Sequence, residues 1–190
     1  MNVIISGMSC SGKTTLANKI ERLNENSLHF EQDWYFKDKK NIPLSRKGYL
    51  FDSPNAFHMS EFKGDVENLL ISGTIYVPTY DIKSNRRISK DKIVNQKDIN
   101  IFEGLHTISE LKDLRDSIKV FIDTPLEECL RRRIQRDKQY KIDEEISEKY
   151  FYEVMIPMYK QYIEIQKEYA DIIIKGGEDE ICLLKKLQTY

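Results

Sequence analysis

The sequence predicts an α/β fold of three layers, in which a parallel sheet of about five strands is flanked by helices. Short apolar segments with strand character alternate with helical segments along the chain, which is the pattern of parallel sheets covered on both faces. A glycine-rich stretch, 7–15, lies between the first predicted strand and the first predicted helix. No repeat, low-complexity tract or Pro/Ser-rich linker interrupts the 190 residues, so we expect a single domain, 1–190.

The predicted elements follow from apolar runs and from the residues that start and stop helices. Strands of the sheet are predicted over 3–6, 27–33, 99–104, 118–123 and 169–177. Helices are predicted over 13–23, 53–73, 107–115, 125–137 and 144–167. Outside these elements, the pattern predicts a loop over 34–53, a short strand broken by Pro78 over 74–81, and a basic loop over 82–92. A polar break between the last two helices predicts a short lid at about 136–144.

The composition is that of a soluble protein with a charged surface, since 40% of the residues are apolar and 32% are charged. The 30 basic and 31 acidic residues nearly cancel, which argues against a protein that coats nucleic acid or an anionic membrane. No apolar run approaches the roughly 20 residues of a membrane span, and no signal peptide is visible. Cys10, Cys129 and Cys182 form no CxxC pair, so we expect a cytoplasmic protein without a disulfide framework.

The segment Gly7-x4-Gly12-Lys13-Thr14 has the spacing of a phosphate-binding loop. Glycines let backbone N–H groups turn toward phosphate oxygens, and the positive end of the following helix adds to the attraction. Lys13 can bridge the β- and γ-phosphates, and the Thr14 hydroxyl can ligate Mg²⁺. An ordinary glycine turn before a helix is the alternative. The candidate nucleotide-binding residues are Gly7, Ser9, Cys10, Ser11, Gly12, Lys13, Thr14 and Thr15.

Two acidic residues are predicted at the carboxyl ends of strands, at the same edge of the sheet as the phosphate loop. Glu103 ends an apolar strand and is a candidate to hold Mg²⁺, directly or through water. Asp33 ends the second predicted strand and can orient an alcohol and accept its proton during phosphoryl transfer. The simpler alternatives are a surface glutamate just past a strand and an aspartate that caps a helix or a turn.

The segment 130–138 carries several arginines on a predicted helix that ends at the polar break. Arg132, Arg133 and Arg136 are spaced so that they can share one face of this helix. On a mobile lid, such arginines can neutralise the charge that develops on a transferred phosphoryl group. A solvated helix face and a nucleic-acid-binding patch are the alternatives, and the near-zero net charge disfavours the second.

Taken together, seven segments resemble the uridine kinase (uridine–cytidine kinase) family of P-loop nucleoside kinases. They are "GMSCSGKTT", "QDWYF", "YLFDSPNAFH", "VPTYDIKSNRR", "IFEGLH", "FIDTPLEECLRRRIQRD" and "YADIIIKGG". They occur in the family's order and at about its spacing, so the likeness covers nearly the whole chain. The resemblance implies the three-layer P-loop kinase fold, with a small lid or hairpin region over the nucleoside and a substrate-binding insert at about 74–98.

The resemblance also implies roles for individual side chains around an acceptor site. Asp33 would contact the ribose 5′-hydroxyl and lie near the metal, with Glu103 as a second metal-associated acid. Asp52 would hold the ribose hydroxyls, with Arg133 close to it, and Arg136 would face the triphosphate from the lid. The aromatic side chains that would form the base pocket are Phe36, Phe51 and Tyr80.

The base-reading residues depart from the family pattern. Asn85 stands where the family usually has a histidine that helps to recognise the pyrimidine edge, although an amide can also donate and accept hydrogen bonds. The segments "PLEECLRRR" and "IPMYKQY" are also similar to those of nicotinamide riboside kinases, which catalyse the same reaction on a different nucleoside. The alternative is therefore a nicotinamide riboside kinase or another P-loop kinase that acts on a small alcohol.

These features predict a Mg²⁺-dependent kinase that transfers the γ-phosphoryl group of ATP or GTP to the 5′-hydroxyl of uridine or cytidine, in pyrimidine salvage. The predicted catalytic residues are Asp33, Lys13, Arg133 and Arg136. The predicted substrate contacts are Asp33, Phe36, Phe51, Asp52, Tyr80, Asn85 and Arg133. The predicted metal ligands are Thr14, Asp33 and Glu103.

Two other classes of protein are weighed against the kinase. A GTPase-like switch needs a guanine-reading NKxD motif on a late strand, and the only "NK", at Asn18–Lys19, lies inside the first predicted helix. A binding module that has lost catalysis would be expected to lack Lys13, Asp33 or Glu103, and all three are present. We expect a small-molecule nucleoside as partner, no nucleic acid or membrane, and, from the family, a dimer or tetramer.

Overall fold

In a computed structural model, which describes residues 1–175, the predicted apolar strands join into one parallel sheet. In chain order the strands are β1 (Asn2–Gly7), β2 (Ser27–Glu31), β3 (Leu44–Ser45), β4 (Gly48–Tyr49), β5 (Thr74–Asp81), β6 (Arg86–Asn95), β7 (Ile99–Glu103), β8 (Ser117–Ile122) and β9 (Ile172–Ile174). The main sheet has the order β2-β7-β1-β8-β9, and all of its neighbours run parallel. The short pair β3-β4 and the longer pair β5-β6 are antiparallel hairpins outside it.

Helices cover both faces of this sheet. In chain order the α-helices are α1 (Lys13–Leu23), α2 (Met59–Ser72), α3 (Thr107–Glu110), α4 (Leu126–Lys138), α5 (Glu144–Tyr150) and α6 (Ile156–Met158). Short 3₁₀ helices occupy Gln32–Tyr35, Lys39–Asn41, Pro54–Ala56 and Glu164–Tyr169. No helix in the described part of the chain is both long and apolar enough to cross a bilayer.

Alternate residues of the central strand β1 face opposite layers, which explains why Val3, Ile4 and Ile5 are all apolar. Val3 and Ile5 of β1 pack on one face with Leu16 and Ile20 of α1. Ile4 points to the other face, where it joins the larger core. Each such fully buried side chain contributes about 1.5–3 kcal/mol to folding. The parallel sheet buried on both faces confirms the predicted three-layer α/β fold.

The basic loop predicted over 82–92 is wrong, because most of this segment lies in β6. Strand β6 pairs antiparallel with β5, and the turn between them spans 82–85. Only Val94 of β6 is buried, so the strand has no alternating apolar pattern that could have predicted it. The predicted insert at 74–98 is thus a two-stranded hairpin.

The second predicted strand is also shorter than expected, since β2 ends at Glu31 and Asp33 lies in the following 3₁₀ helix. The chain leaves the sheet here because the side chain of Gln32 packs against Gly104, directly after β7. A Cβ on Gly104 would lie 2.4 Å from Cβ of Gln32, and the Gln32 amide oxygen accepts a hydrogen bond from the backbone N–H of His106 at 3.0 Å. Glycine at 104 therefore permits this close approach.

The helix predicted over 144–167 is present as one helical segment that extends to Tyr169 but is not a regular α-helix. Wide π-type turns at Phe151–Met155 and Tyr159–Ile163 flank α6. Pro157 lies in α6 and has no N–H to donate, so the regular hydrogen-bond ladder is interrupted there.

Three further predicted elements are shorter than expected. The helix predicted over 53–73 begins only at Met59, because Pro54–Ala56 form a separate 3₁₀ helix. The helix predicted over 107–115 ends at Glu110. The last predicted strand, 169–177, is reduced to β9, and positions 176–177 lie outside the described residues.

Candidate active site

The eight predicted nucleotide-binding residues lie at the end of β1, in the turn that follows it and at the start of α1. Gly7 has a φ of +151°, and a Cβ there would lie 2.6 Å from the carbonyl oxygen of Ile122, so only glycine fits without a backbone shift. Gly12 has a φ of +108° directly before the helix. Cys10 has a φ of +65°, which is uncommon for a residue with a side chain. The turn ends on the unpaired N–H groups of the α1 N-terminus, which is the arrangement of an anion cradle.

The first two residues of α1 have different neighbours. Lys13 is buried, and its Nζ donates a hydrogen bond to the carbonyl oxygen of Met8 at 3.0 Å. Thr14 Oγ1 donates to Oε1 of Glu103 at 3.0 Å, which links the helix to the end of β7. The ammonium group therefore lies inside the loop, and the threonine hydroxyl faces the acid predicted to hold the metal.

Glu103 is only 4% exposed, and its charge is supported by its neighbours. Burial by itself raises the pKa of this carboxyl, but a contact with His29 and the positive charge of Lys13 outweigh that effect and leave the pKa below its usual range. Nε2 of His29 lies 3.6 Å from Oε1 of Glu103. Glu103 is thus held as a carboxylate beside the phosphate loop.

The donor set at this edge fits Mg²⁺ in a particular way. The predicted ligands Thr14, Asp33 and Glu103 supply oxygen atoms, which Mg²⁺ prefers, and this ion usually keeps several waters and shares substrate phosphates. Within residues 1–175 no group of three or more His, Cys, Asp or Glu side chains could hold a metal ion. The residues therefore fit an ion shared with nucleotide phosphates rather than one enclosed by protein.

Asp33 lies on the 3₁₀ helix after β2, and its side chain is exposed. The charges of Glu103, Lys13 and Arg136 act on it, and the region between these four residues is called the cleft. The protein around the cleft nevertheless desolvates the Asp33 side chain, and this raises the pKa of the carboxyl to about 7. The negative charge of Glu103 acts in the same direction, and the positive charges of Lys13 and Arg136 oppose it. A carboxyl with a pKa near neutrality is suited to accept a proton.

Aromatic rings form a cluster beside Asp33. Phe36 is the central member, with ring centroids 5.3 Å from Tyr80, 6.2 Å from Phe51 and 4.0 Å from Phe57. The structure thus brings together the three aromatic residues predicted to form a base pocket. Phe57 stacks on Phe36 and belongs to the same wall, although the sequence analysis did not include it. The buried hydroxyl of Tyr80 has no hydrogen-bond partner in the protein.

Asp52 is a buried acid whose side chain is incompletely paired. It is 5% exposed, and its Oδ2 is buried without a hydrogen-bond partner. Burial raises the pKa of Asp52, and the charge of Arg133 acts against that rise. His106 holds the backbone at this position, because its Nε2 lies 3.0 Å from the carbonyl oxygen of Asp52. Burial lowers the pKa of His106 to about 4, so the ring is neutral and donates this bond.

His106 is a positioning residue that the sequence analysis missed. Its place two residues after Gly104, at the end of a buried strand, was the only available signal. An unpaired buried carboxylate oxygen such as that of Asp52 is costly unless a ligand supplies the missing hydrogen bond.

The two arginines predicted to be catalytic lie on the cleft side of α4 and near its end. Arg133 is partly buried, with its Nε donating to Asp137 and its guanidinium over the ring of Tyr150 at 5.5 Å. Arg136 is more exposed, and its positive charge acts on both Asp33 and Asp52. The structure therefore places both charges near the predicted acceptor site, with Arg133 fixed by Asp137.

A third arginine, Arg132, contacts the phosphate loop itself. Its Nη1 donates to the carbonyl oxygens of Ser11 at 2.9 Å and Cys10 at 3.3 Å. The sequence analysis placed Arg132 on the arginine-bearing face but gave it no role in the site. Which arginine reaches the loop depends on the rotation of α4 against β1, and the spacing of the run does not contain that information.

Asn85 is the last residue of the turn between β5 and β6, where it has a φ of +50°. Asparagine is one of the few residues with a side chain that adopts this conformation readily. Its carbonyl oxygen accepts a hydrogen bond from the backbone N–H of Lys39 at 3.1 Å, which joins the hairpin tip to the segment after Phe36. Asn85 thus has a clear backbone role, and its predicted contact with a base stays a prediction.

A phosphate loop on a parallel sheet, with two acids at the same edge and arginines on a neighbouring helix, defines a kinase of the P-loop class. The chain belongs to the phosphoribulokinase/uridine kinase family, whose sequence profile matches residues 3–181. This confirms the resemblance found in the sequence and makes the protein a kinase that uses an ATP-type nucleotide.

Curated relatives and solved structures agree with this assignment. The chain is 40% identical over 181 residues to the uridine kinase of Mycoplasma genitalium, an alignment that covers 93% of this chain and 85% of the relative. It is 34% identical over 198 residues to the uridine kinase of Lactobacillus helveticus, covering 97% of this chain and 92% of the relative. The structure of a possible uridine kinase from Bacillus stearothermophilus superimposes with a TM-score of 0.61 at 20% identity, over 92% of this chain and 88% of that one. The structural likeness supports the fold.

Proposed function

We propose that this kinase transfers the γ-phosphoryl group of ATP or GTP, with Mg²⁺, to the 5′-hydroxyl of a pyrimidine ribonucleoside, uridine or cytidine. The observation that carries the proposal is the buried, unpaired carboxylate oxygen of Asp52, which follows Phe51 of the aromatic cluster around Phe36 and on which the charges of Arg133 and Lys13 act. A ribose offers hydroxyl donors to such a carboxylate, and a base offers a flat face to aromatic rings. The curated relatives named uridine kinase point to the same acceptor.

We assign the role of proton acceptor to Asp33, which lies on the 3₁₀ helix after β2 within reach of the charges of Lys13 and Glu103. In the proposed reaction the 5′-oxygen forms a bond to the γ-phosphorus, the bond from that phosphorus to the β,γ-bridging oxygen breaks, and the hydroxyl proton moves to Asp33. The nucleoside diphosphate leaves with the electron pair of the broken bond. A carboxyl with a pKa of about 7 is deprotonated often enough at neutral pH and is basic enough to take this proton.

Positive charges stabilise the developing negative charge on the transferred group. Lys13 lies within the loop, and Arg136 acts on the cleft from the predicted lid region. Thr14 and Glu103 would hold the Mg²⁺, which supplies charge neutralisation on the phosphate oxygens when it is bound. Arg133 is fixed by Asp137 beside Asp52, so it is placed to contact the acceptor.

The proposal is tested with a panel of acceptors in the presence of ATP or GTP and Mg²⁺. The panel contains uridine, cytidine, adenosine, guanosine and nicotinamide riboside, and the phosphate ester products are measured directly. We expect uridine and cytidine to be phosphorylated. Turnover of nicotinamide riboside alone would refute the pyrimidine assignment and favour the second candidate, which is supported by the similarity of "PLEECLRRR" and "IPMYKQY" to nicotinamide riboside kinases.

The same assay tests Asp33. We expect Asp33→Asn to lower kcat by at least about 100-fold while ATP binding is retained, because the amide cannot accept the proton. Asp91→Asn, an exposed position on β6, is the matched control and should keep full activity. Full activity of Asp33→Asn would remove this residue from the mechanism. A slow hydrolysis of nucleotide that no acceptor accelerates would instead indicate a switch or binding protein.

A further inference from the structure

Two backbone carbonyl groups of the phosphate loop, those of Cys10 and Ser11, accept hydrogen bonds from side chains outside the loop. When a loop turns N–H groups toward a bound phosphate, its carbonyl oxygens point away and need donors of their own. The carbonyl oxygen of Ser11 accepts two hydrogen bonds, from Thr124 Oγ1 at 2.7 Å and from Arg132 Nη1 at 2.9 Å. The carbonyl oxygen of Cys10 accepts a third, from the same Arg132 nitrogen at 3.3 Å. Two residues from other parts of the chain thus hold the back of the loop.

Arg132 is fixed in this position by its own helix. Glu128, one turn earlier on α4, accepts a hydrogen bond from Nε of Arg132 at 2.8 Å. Glu128 is also paired with Arg131, whose Nε and Nη2 lie 2.7 Å and 2.8 Å from its two carboxylate oxygens. One carboxylate therefore serves two guanidinium groups, and the cluster keeps a net positive charge beside the loop.

The contact between Arg132 and the loop leaves little free space. A Cβ on Gly12 would lie 3.3 Å from Nη1 of Arg132, so the guanidinium packs directly against the glycine backbone. The neighbouring residue Cys10 is held at a positive φ, which is disfavoured for a residue with a side chain and persists only where surrounding contacts fix it. The Arg132 hydrogen bond to the Cys10 carbonyl is such a contact.

We infer that Arg132 is a positioning residue of the nucleotide site, which holds the phosphate loop in its binding conformation through the carbonyl groups of Cys10 and Ser11. It acts without touching the nucleotide. Its hydrogen bonds fix the orientation of the peptide groups whose N–H bonds turn toward the phosphates, and its charge lies on the outer side of the same peptide groups. The inference requires nucleotide binding by the loop and does not depend on which nucleoside is the acceptor.

The same contact joins the donor site to the helix that leads into the predicted lid region. Arg132 is followed on α4 by Arg133 and Arg136, whose charges act on Asp52 and Asp33. The contact between Arg132 and the loop therefore links the nucleotide site directly to the helix that carries these arginines.

The test compares Arg132→Met with Arg131→Met in the full chain. Both variants remove a guanidinium that pairs with Glu128, but only Arg132 contacts the loop. We expect Arg132→Met to raise the dissociation constants of ATP and ADP about tenfold, which is the loss of a hydrogen bond to a charged donor, and Arg131→Met to change them less than twofold. The acceptor KM of Arg132→Met should stay within twofold of the wild-type value.

Two further variants keep the test decisive if Arg132→Met folds poorly. Arg132→Lys keeps the charge but has a compact head that cannot serve Glu128 and both carbonyls together, so an intermediate loss of nucleotide affinity is expected. Thr124→Val removes the other donor to Ser11 with little change in shape and should weaken nucleotide binding several-fold.

Three outcomes would overturn the inference. The first is unchanged nucleotide affinity in both Arg132→Met and Thr124→Val. The second is a loss of nucleotide affinity in Arg131→Met that equals the loss in Arg132→Met. The third is a loss in Arg132→Met and Arg132→Lys that is equal for nucleotide and acceptor and is accompanied by a lower ligand-free melting temperature. Binding of ADP is measured without acceptor, so a wrong acceptor assignment leaves this test intact.

Discussion

The raised pKa of Asp33 suits this residue to accept a proton but lowers the free energy of unfolding at neutral pH. Desolvation by the surrounding protein and the charge of Glu103 raise its pKa to about 7, whereas an aspartate in an unfolded chain has a pKa of about 3.9. Because the folded state then binds more protons than the unfolded state between these two values, the free energy of unfolding falls as the pH rises from about 4 to about 7 and stays lower above that. We expect ligand-free Asp33→Asn to melt at a higher temperature than the wild type at pH 8, with a smaller difference at pH 5.

This prediction is checked by thermal denaturation without nucleotide or Mg²⁺, since a bound cation would itself stabilise the carboxylate. The exposed Asp91→Asn serves as the control and should show no such pH dependence. A difference between Asp33→Asn and wild type that is the same at both pH values would show that Asp33 titrates normally in the folded protein.

At the scale of elements, the β5–β6 hairpin is anchored to the rest of the site by a charged network. Asp65 of α2 accepts hydrogen bonds from the hydroxyl of Tyr35 at 2.8 Å and from Nζ of Lys90 at 2.7 Å. Tyr35 lies on the same 3₁₀ helix as Asp33, so one carboxylate connects the hairpin to the element that carries the candidate base. Lys92 reinforces the connection, with its Nζ 3.5 Å from the centroid of the Trp34 ring.

We expect Asp65→Ala to lower the free energy of unfolding by about 1–3 kcal/mol, because the buried hydroxyl of Tyr35 loses its partner and the ammonium of Lys90 keeps only Glu61. The acceptor KM should rise as well, since the 3₁₀ helix with Asp33 loses a support. Urea denaturation and steady-state kinetics measure the two effects. Glu67→Ala, an exposed change on the same helix, should leave both within experimental error. A wild-type urea midpoint for Asp65→Ala would mean that Asp65 does not help to hold the hairpin.

The same network explains why the sequence predicted the hairpin only in part. In β6, the charges of Arg87 and Lys90 are neutralised by Glu61 and Asp65 of α2, residues distant in the sequence. A strand that packs against acidic side chains carries basic residues on that face, so its sequence has no apolar alternation. Its local pattern therefore predicts a loop. The bounds of the apolar strands β7 and β8 were predicted to within one residue, because strands of a sheet covered on both faces consist largely of apolar residues.

At the scale of the whole molecule, the parallel sheet brings the residues of the candidate site together at one edge. The loop after β1, the 3₁₀ helix after β2 and Glu103 at the end of β7 all lie at the carboxyl edge, since these strands are neighbours and run parallel. The alternation of strands and helices was enough to predict this edge and the residues on it. Some contacts depend on how one element is rotated and shifted against another, and these could not be predicted from the sequence. Examples are the hydrogen bonds from Arg132 to the phosphate loop and from His106 to Asp52.

Because the loop joins β1 to α1, which pack together in the core on one face of the main sheet, a nucleotide bound there stabilises the folded state. At 100 times its dissociation constant, a ligand adds about 2.7 kcal/mol, which for a chain of this size raises the melting temperature by roughly 5–10 °C. We expect Lys13→Met to lose most of this rise with ADP or ATP, since the phosphates lose the ammonium charge inside the loop. Its ligand-free melting temperature should change by only about 2–4 °C, because the folded protein loses a single hydrogen bond, to the carbonyl of Met8. Lys63→Met, an exposed change on α2, is the control and should keep the full rise. A full nucleotide-induced rise in Lys13→Met would mean that the ammonium group does not contact the phosphates.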